Sequence, residues 1–401
     1  MNIKLAISLA LIGLGCPKNS DLKDTGRDSE QPDSEDTESA DFECTYYEDE
    51  NHGEPGTVEI GVSTVAEGLA TPWGIGWLPD GELLLSERDG RISRVSSGEV
   101  TQVAQVPNLG GGEGGLLGLA VDPDFSNNRR FYIYYTASEG SSVVNRVARW
   151  LLAEDGMSAA ADEIIVDGID ARQYHNGGRL RIGPDQKLYI GTGDAGRPAS
   201  AQDTADLAGK ILRVNLDGSI PEDNPYPGQA TWIWGIRNTQ GFDWRDNGQM
   251  IITDHGPSGI ANEGGRADHD EVTLASPGDN LGWPDIYACE EDDSFRTASI
   301  TWANAMPPGG AAIYTGTEIP EWSGDLLIGV LGFGDGTPHL HRLRLDEVGN
   351  VTINEVYLHQ EYGRLREVIM GPDGGLYVTT SNCDGRGDCG QGDRILRIGA
   401  P

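Results

Sequence analysis

The chain has 401 residues, with 29 Lys and Arg against 64 Asp and Glu, a formal charge of −35. That balance excludes nucleic-acid binding through a basic surface. With 57 Gly and 21 Pro a helical bundle is also excluded, and a fold of short strands and many turns is favoured.

Met1, Asn2, Ile3 and Lys4 precede an apolar run over residues 5–15 that ends at Cys16. A charged start before a short apolar stretch is a secretory signal, too short to span a bilayer, so residues 1–16 are set apart from the fold. Ile12-Gly13-Leu14-Gly15-Cys16 resembles a bacterial lipoprotein cleavage box, with Gly13 where Leu is usual. Export to the periplasm, cell surface or medium is expected, with two alternatives: a lipid anchor on Cys16, the only membrane contact expected, or plain secretion. Residues 17–56 are acidic, and nearly all of 17–41 is polar. Such a stretch cannot offset its ordering entropy and reads as a disordered tether, leaving 57–401 as the folded domain. Four cysteines remain, an even number that suggests two disulfides in an exported protein. Cys383 and Cys389 bracket a five-residue loop and form the natural local pair, leaving Cys44 with Cys289; four cysteines allow three connectivities.

One pattern then recurs six times: a Pro-Asp-Gly-like turn, a β-rich run, and a second run that usually contains Arg. It starts at Pro79-Asp80-Gly81, Asp122-Pro123-Asp124, Gly183-Pro184-Asp185, Asp246-Asn247-Gly248, Ser323-Gly324-Asp325 and Pro372-Asp373-Gly374. Each unit gives a turn and an antiparallel pair, and the β-rich stretches between units complete four-stranded sheets. Six such sheets predict an all-β, six-bladed β-propeller, with residues 57–65 supplying a strand that helps close the ring. Two separate β domains would need a linker in mid-chain, and none is visible.

The long loops carry Thr71-Pro72-Trp73-Gly74-Ile75, Gly114-Gly115-Leu116-Leu117-Gly118, His175-Asn176-Gly177-Gly178-Arg179-Leu180, Gly235-Ile236-Arg237-Asn238-Thr239-Gln240-Gly241, His255-Gly256-Pro257, Gly282-Trp283-Pro284 and Gly363-Arg364-Leu365-Arg366. In that order and spacing, from about residue 68 to 398, the chain resembles the pyrroloquinoline quinone (PQQ)-dependent soluble aldose sugar dehydrogenases, the glucose/sorbosone dehydrogenase family. Oxidising a sugar hemiacetal by hydride transfer needs a base, an electrophilic acceptor and a clamp holding both in reach. The resemblance implies that His175 is the base and that Arg237 steadies the developing charge. It also implies that Arg237, Asn238, Arg364 and Arg366 contact PQQ, with Gln240 a nearby match. Calcium would be held by carbonyls of Gly256 and Pro257, and a second calcium by Glu271 and a backbone oxygen of Leu281; a hard cation prefers such oxygens.

Several residues depart from the family pattern. Gly332 takes the place of a Lys, Glu113 that of a substrate-side Gln, and Tyr174 that of an Asp. Residues 260–269 are an insertion, and residues 303–316 offer few aromatics to stack on a quinone. Other readings stand beside the catalytic ones. Arg364 and Arg366 also fit a structural ion-pair network, Arg179 fits a support for the His175 loop, and His255, His269 and Asp270 have irregular spacing for a metal set. Two functional classes follow. One is an exported PQQ- and calcium-dependent dehydrogenase that oxidises an aldose at its anomeric hydroxyl to the lactone, with a small sugar substrate and an external electron acceptor. The alternative is a non-enzymatic propeller binding a protein or glycan. A calcium-dependent lactonase would need an Asn, Asp and Glu cluster at the central channel that does not assemble from this sequence.

Overall fold

A computed structural model describes residues 41–140, 142–332, 337–390 and 392–401. The expected signal, Cys16 and the tether up to residue 40 lie outside the described residues.

Six antiparallel four-stranded blades follow one another around a ring, five built from consecutive strands and the sixth completed by a strand from the start of the fold. The first comprises Pro72–Trp77, Leu83–Glu87, Arg91–Ser96 and Glu99–Gln105, and the second opens at Leu116–Val121. The third and fourth open at Leu180–Ile182 and Gly241–Trp244, the fifth and sixth at Pro308–Ile313 and Leu365–Met370. These opening strands are short and mostly buried, and neighbouring ones pack against each other at the centre. The expected six-bladed propeller is therefore the observed fold. Its turns follow the repeat: in blade one, for example, Gly81 has φ 86°, a left-handed position glycine takes without steric cost.

The ring closes by mixing its two ends. Gly61–Leu69 pairs antiparallel with Asp393–Gly399 and becomes the outer strand of blade six. Apolar side chains fill the seams between blades, as where Leu69, Ile75, Leu85 and Ile395 pack together.

Composition extends the tether to residue 56, but residues 44–56 are an ordered strap. Thr45–Tyr47 adds a parallel strand to blade four against Ile300–Trp302, and Glu54–Pro55 does the same for blade five. Tyr47 packs on the core between these blades, and Cys44 is bonded to Cys289. The partners lie about 255 and 300 residues away, so no local pattern announces the strap. The second disulfide joins Cys383 and Cys389, giving the anticipated connectivity. Replacing Cys44 and Cys289 by Ser should cost about 2–4 kcal/mol of stability, read as a lower urea midpoint, with the ring itself retained in circular dichroism; an unchanged midpoint would show that strand pairing alone holds the strap.

Candidate functional site

A cavity of about 350 Å³ lies where the inter-blade loops meet, within the size range of small-molecule sites. His175, Arg237, Asn238, Gln240, Arg364, Arg366, Gly256 and Pro257 all line it. Eight of the ten residues anticipated for the site thus share one wall system, while Glu271 and Leu281 border a smaller cavity beside it.

His175 sits in the left-handed region at φ 57°, which costs a non-glycine residue about 1–3 kcal/mol unless its surroundings enforce it. Three contacts do so. Its N–H donates to Glu113 Oε2 at 2.8 Å, its carbonyl accepts Ala195 N–H at 3.1 Å, and its Nδ1 lies 2.7 Å from Asp194 Oδ1. The loops of His175 and Asp194 approach so closely that a Cβ on Gly193 would lie 2.2 Å from the His175 carbonyl oxygen. Asp194 is fully buried and also accepts the Gly196 amide at 2.7 Å and the Trp283 indole N–H at 2.9 Å. Acceptance of the Nδ1 proton by a fixed carboxylate leaves Nε2 as the basic nitrogen. Burial works to raise the Glu113 carboxyl, but His175, His255 and the His175 amide outweigh it and hold it below the usual range. Neither Asp194 nor the partnership of Glu113 with His175 was read from the sequence; Gly193-Asp194-Ala195-Gly196 looks like ordinary turn chemistry.

Arg237 and Asn238 follow the third blade. Asn238 Oδ1 accepts Gly177 N–H at 3.0 Å, fixing the His175 loop, while both backbone amides of the pair donate to Asp254, at 2.7 and 2.6 Å. Burial pushes Asp254 up to about 7 despite those amides. Gln240 Oε1 accepts Arg366 Nη1 at 2.9 Å, so this amide orients a guanidinium.

The opposite wall is cationic. Asp384 Oδ2 accepts Arg364 Nη2 at 2.8 Å and Arg366 Nη2 at 3.2 Å, and its carbonyl accepts Arg88 Nη2 at 3.0 Å. Burial works to raise Asp384, but Arg366 and Arg364 outweigh it and keep it low; burial also draws Arg366 down to about 10. The structural ion-pair reading and the cavity reading of Arg364 and Arg366 are thus both realised. Arg364 Nη1 is also bonded to the carbonyls of Leu331 and Gly332, at 2.8 and 2.6 Å. Arg364 and Arg366 share one side-chain carboxylate and Arg88 stands on its backbone carbonyl, so a ligand with several carboxylates suits this wall. Arg88 and Asp384 were missed because their role depends on blades one and six meeting across the ring closure.

Gly256, Pro257, Glu271 and Leu281 line one small cavity of about 20 Å³, and the first two also face the main one. Burial raises the Glu271 carboxyl well above its usual range, and Asp254 and Asp270 add to the rise. Crowded desolvated carboxylates beside backbone carbonyls are a donor set suited to a hard cation, although no group of three or more His, Cys, Asp or Glu converges as a metal cluster among the described residues. The histidines considered for a transition metal are spent elsewhere. His255 Nε2 lies 2.6 Å from the Pro308 carbonyl, and His269 bonds Tyr46 and Tyr287.

Comparison with known proteins agrees with this fold. A glucose/sorbosone dehydrogenase family model matches residues 69–396. The quinoprotein glucose dehydrogenase B of Acinetobacter calcoaceticus is 32% identical over 65% of this chain and 61% of its own length. A Thermus thermophilus structure described as a putative oxidoreductase (glucose dehydrogenase) is 38% identical with a TM-score of 0.76, covering 85% of this chain and all of its own. The PQQ-bound aldose sugar dehydrogenase of Streptomyces coelicolor is 35% identical with a TM-score of 0.74, covering 85% of this chain and 98% of its own. With its fold, its cavity and a family match over most of its length, the chain belongs to the glucose/sorbosone dehydrogenase family.

Proposed function

We propose that the protein is a PQQ- and calcium-dependent aldose dehydrogenase that oxidises the anomeric hydroxyl of a sugar to the lactone. The observation that carries the reading is the His175–Asp194 pair at 2.7 Å on a cavity that also presents Arg237 and the arginine wall. PQQ, when bound, supplies the electrophile that accepts hydride from the anomeric carbon. His175 takes the hydroxyl proton at Nε2, and Asp194 stabilises the imidazolium through Nδ1. Arg237 offers hydrogen bonds where negative charge develops. Arg88, Arg364 and Arg366 would hold the cofactor's carboxylates, in place of the Lys that Gly332 replaces. Gly256 and Pro257 carbonyls would hold calcium next to the cofactor, and Glu271 with Leu281 a second ion. The signal-like residues 1–16 and the two disulfides favour an oxidising compartment outside the cytoplasm. A non-enzymatic propeller would have no use for a dry His–Asp pair facing a polar cavity.

The test is a titration of metal-stripped protein with PQQ, with and without calcium, followed by a panel of aldoses. Calcium-dependent binding and bleaching of the quinone absorbance by an aldose are expected; absence of binding at micromolar PQQ would overturn the reading. His175→Ala should abolish bleaching while leaving PQQ affinity nearly unchanged, and turnover at the wild-type rate would remove His175 as the base.

A further inference from the structure

Arg237 is held from the side of the inserted loop. Its Nε donates to Glu263 Oε1 at 2.7 Å, with the two side chains 3% and 1% exposed. Nη2 donates to Ser258 Oγ at 2.7 Å, and Nη1 to the His255 carbonyl at 3.2 Å. The other Glu263 oxygen accepts Ser258 N–H at 2.8 Å. Glu263 ends the 3-10 turn Ala261–Glu263, inside a loop closed by a bridge between Ser258 and Ala267 and by a Gly259 N–H bond to the Arg266 carbonyl at 2.7 Å. Asn262 Nδ2 ties the loop to the Gly196 carbonyl at 3.1 Å, two residues from Asp194, and Trp283 lies 5.6 Å from the guanidinium carbon. Ser258, Ile260, Ala267 and Asp268 of the same loop line the main cavity.

A dry ion pair does not stabilise a fold as a matter of course, since desolvation can exceed the attraction. What it fixes is direction and net charge. At the far wall Arg364 and Arg366 share the Asp384 carboxylate, with Arg88 and Arg386 close by, whereas at the His175 end Arg237 has a carboxylate of its own. We propose that Glu263 is a positioning residue for Arg237: the inserted loop brings in a buried carboxylate that aims the guanidinium and cancels its charge, so Arg237 serves the cavity as an oriented hydrogen-bond donor and not as a net cation. The inference rests on the role given to Arg237 above, and it reaches further by assigning function to a loop outside the family pattern. Excess positive charge is thereby concentrated on the wall of Arg88, Arg364, Arg366 and Arg386, which gives an anionic cofactor one end to prefer.

Two variants test it, with folding checked by circular dichroism. Glu263→Gln keeps an oxygen for Arg237 Nε and removes the charge; Glu263→Asp keeps the charge on a shorter arm. With PQQ and calcium, Glu263→Gln should lower kcat about tenfold or more, with the sugar KM within about threefold. The acid limb of its pH profile should move to lower pH, because the surroundings of His175 lose a negative charge. Glu263→Asp should return the limb towards wild type. In cofactor-free protein, tryptophan fluorescence titrations with PQQ and with citrate should show about tenfold tighter anion binding in Glu263→Gln, from an unmasked cation. Unchanged kcat, pH limb and anion affinity in Glu263→Gln would overturn the proposal. Should that variant not fold, Glu263→Asp decides: a reduced kcat at a wild-type pH limb supports positioning, and wild-type kinetics overturns it. A wild type that oxidises no sugar would sink the dehydrogenase reading, while the anion titrations would still decide the role of Glu263.

Discussion

Replacing Asp194 by Asn should lower kcat about a thousandfold while leaving the fold and the cavity in place. The reason lies in the hydrogen-bond inventory of one buried carboxylate. Oδ1 receives His175 Nδ1 at 2.7 Å and Gly196 N–H at 2.7 Å, and Oδ2 receives the Trp283 indole at 2.9 Å. Three donors converge on a group that has none to give. An asparagine must turn its NH2 either towards the indole N–H or towards His175 and the Gly196 amide. The first choice keeps the tautomer but removes the charge that stabilises the imidazolium. The second faces Nδ1 with a donor and leaves the proton on Nε2, where it blocks the base. Either way the acid limb of the pH–rate profile should move to lower pH or the rate should collapse. Stopped-flow bleaching of bound PQQ by an aldose measures it; a variant that keeps more than about a tenth of the wild-type rate would dissolve the dyad as the catalytic base.

Glu367→Ala is the change expected to cost the most stability, about 3–5 kcal/mol. Glu367 stands on the inner strand of blade six, and its fully buried carboxylate bonds Arg179 Nη1 and, at 2.8 Å, Arg181 Nη2 of blade three. The two blades face each other, so this cluster spans the ring. Burial draws Arg179 down to about 9 even with Glu367 beside it, and without the carboxylate Arg179 would lose its counter-charge while Arg181 would keep only the weaker influence of Asp243. Arg179 also donates from Nε to the Gln240 carbonyl at 2.6 Å and lies 4.5 Å from the Trp73 ring, so relaxation of the hole would disturb blades one and four. Urea unfolding of cofactor-free protein reads the effect as a lower midpoint, and Glu367→Gln should fall in the same direction because the charge is what is lost. A midpoint within error of wild type in both variants would show that water or rearrangement compensates the arginines.

The six blades were legible because each is local: turn, strand and return strand fit in a few tens of residues. Leu188–Gly191, Lys210–Val214, Leu326–Val330 and Leu376–Thr380 fall where alternation and turn residues put them. The strap at 44–56 was not legible, since its hydrogen bonds go to strands near residues 300 and 355 and its own residues look polar. At the site, family motifs brought the right side chains to one cavity but not their partners. Asp194, Asp384 and Glu263 are carboxylates that neutralise or aim a named cation or imidazole, and each lies in a loop whose composition also suits solvent. An acidic chain offers many such carboxylates, and only distance singles out those that matter.

The pairing of residues 61–69 with 393–399 has a bearing on how the chain can be made. A ribosome that has released five blades has still delivered an open crescent, with apolar Leu69 and Ile75 waiting for Ile395. Gly61–Leu69 must stay unpartnered until Asp393–Gly399 has been made, so the nascent chain carries an exposed strand edge while all the intervening residues are synthesised. For the same reason a truncation before Asp393 deletes a clasp. It should leave six well-patterned segments unable to remain a circle.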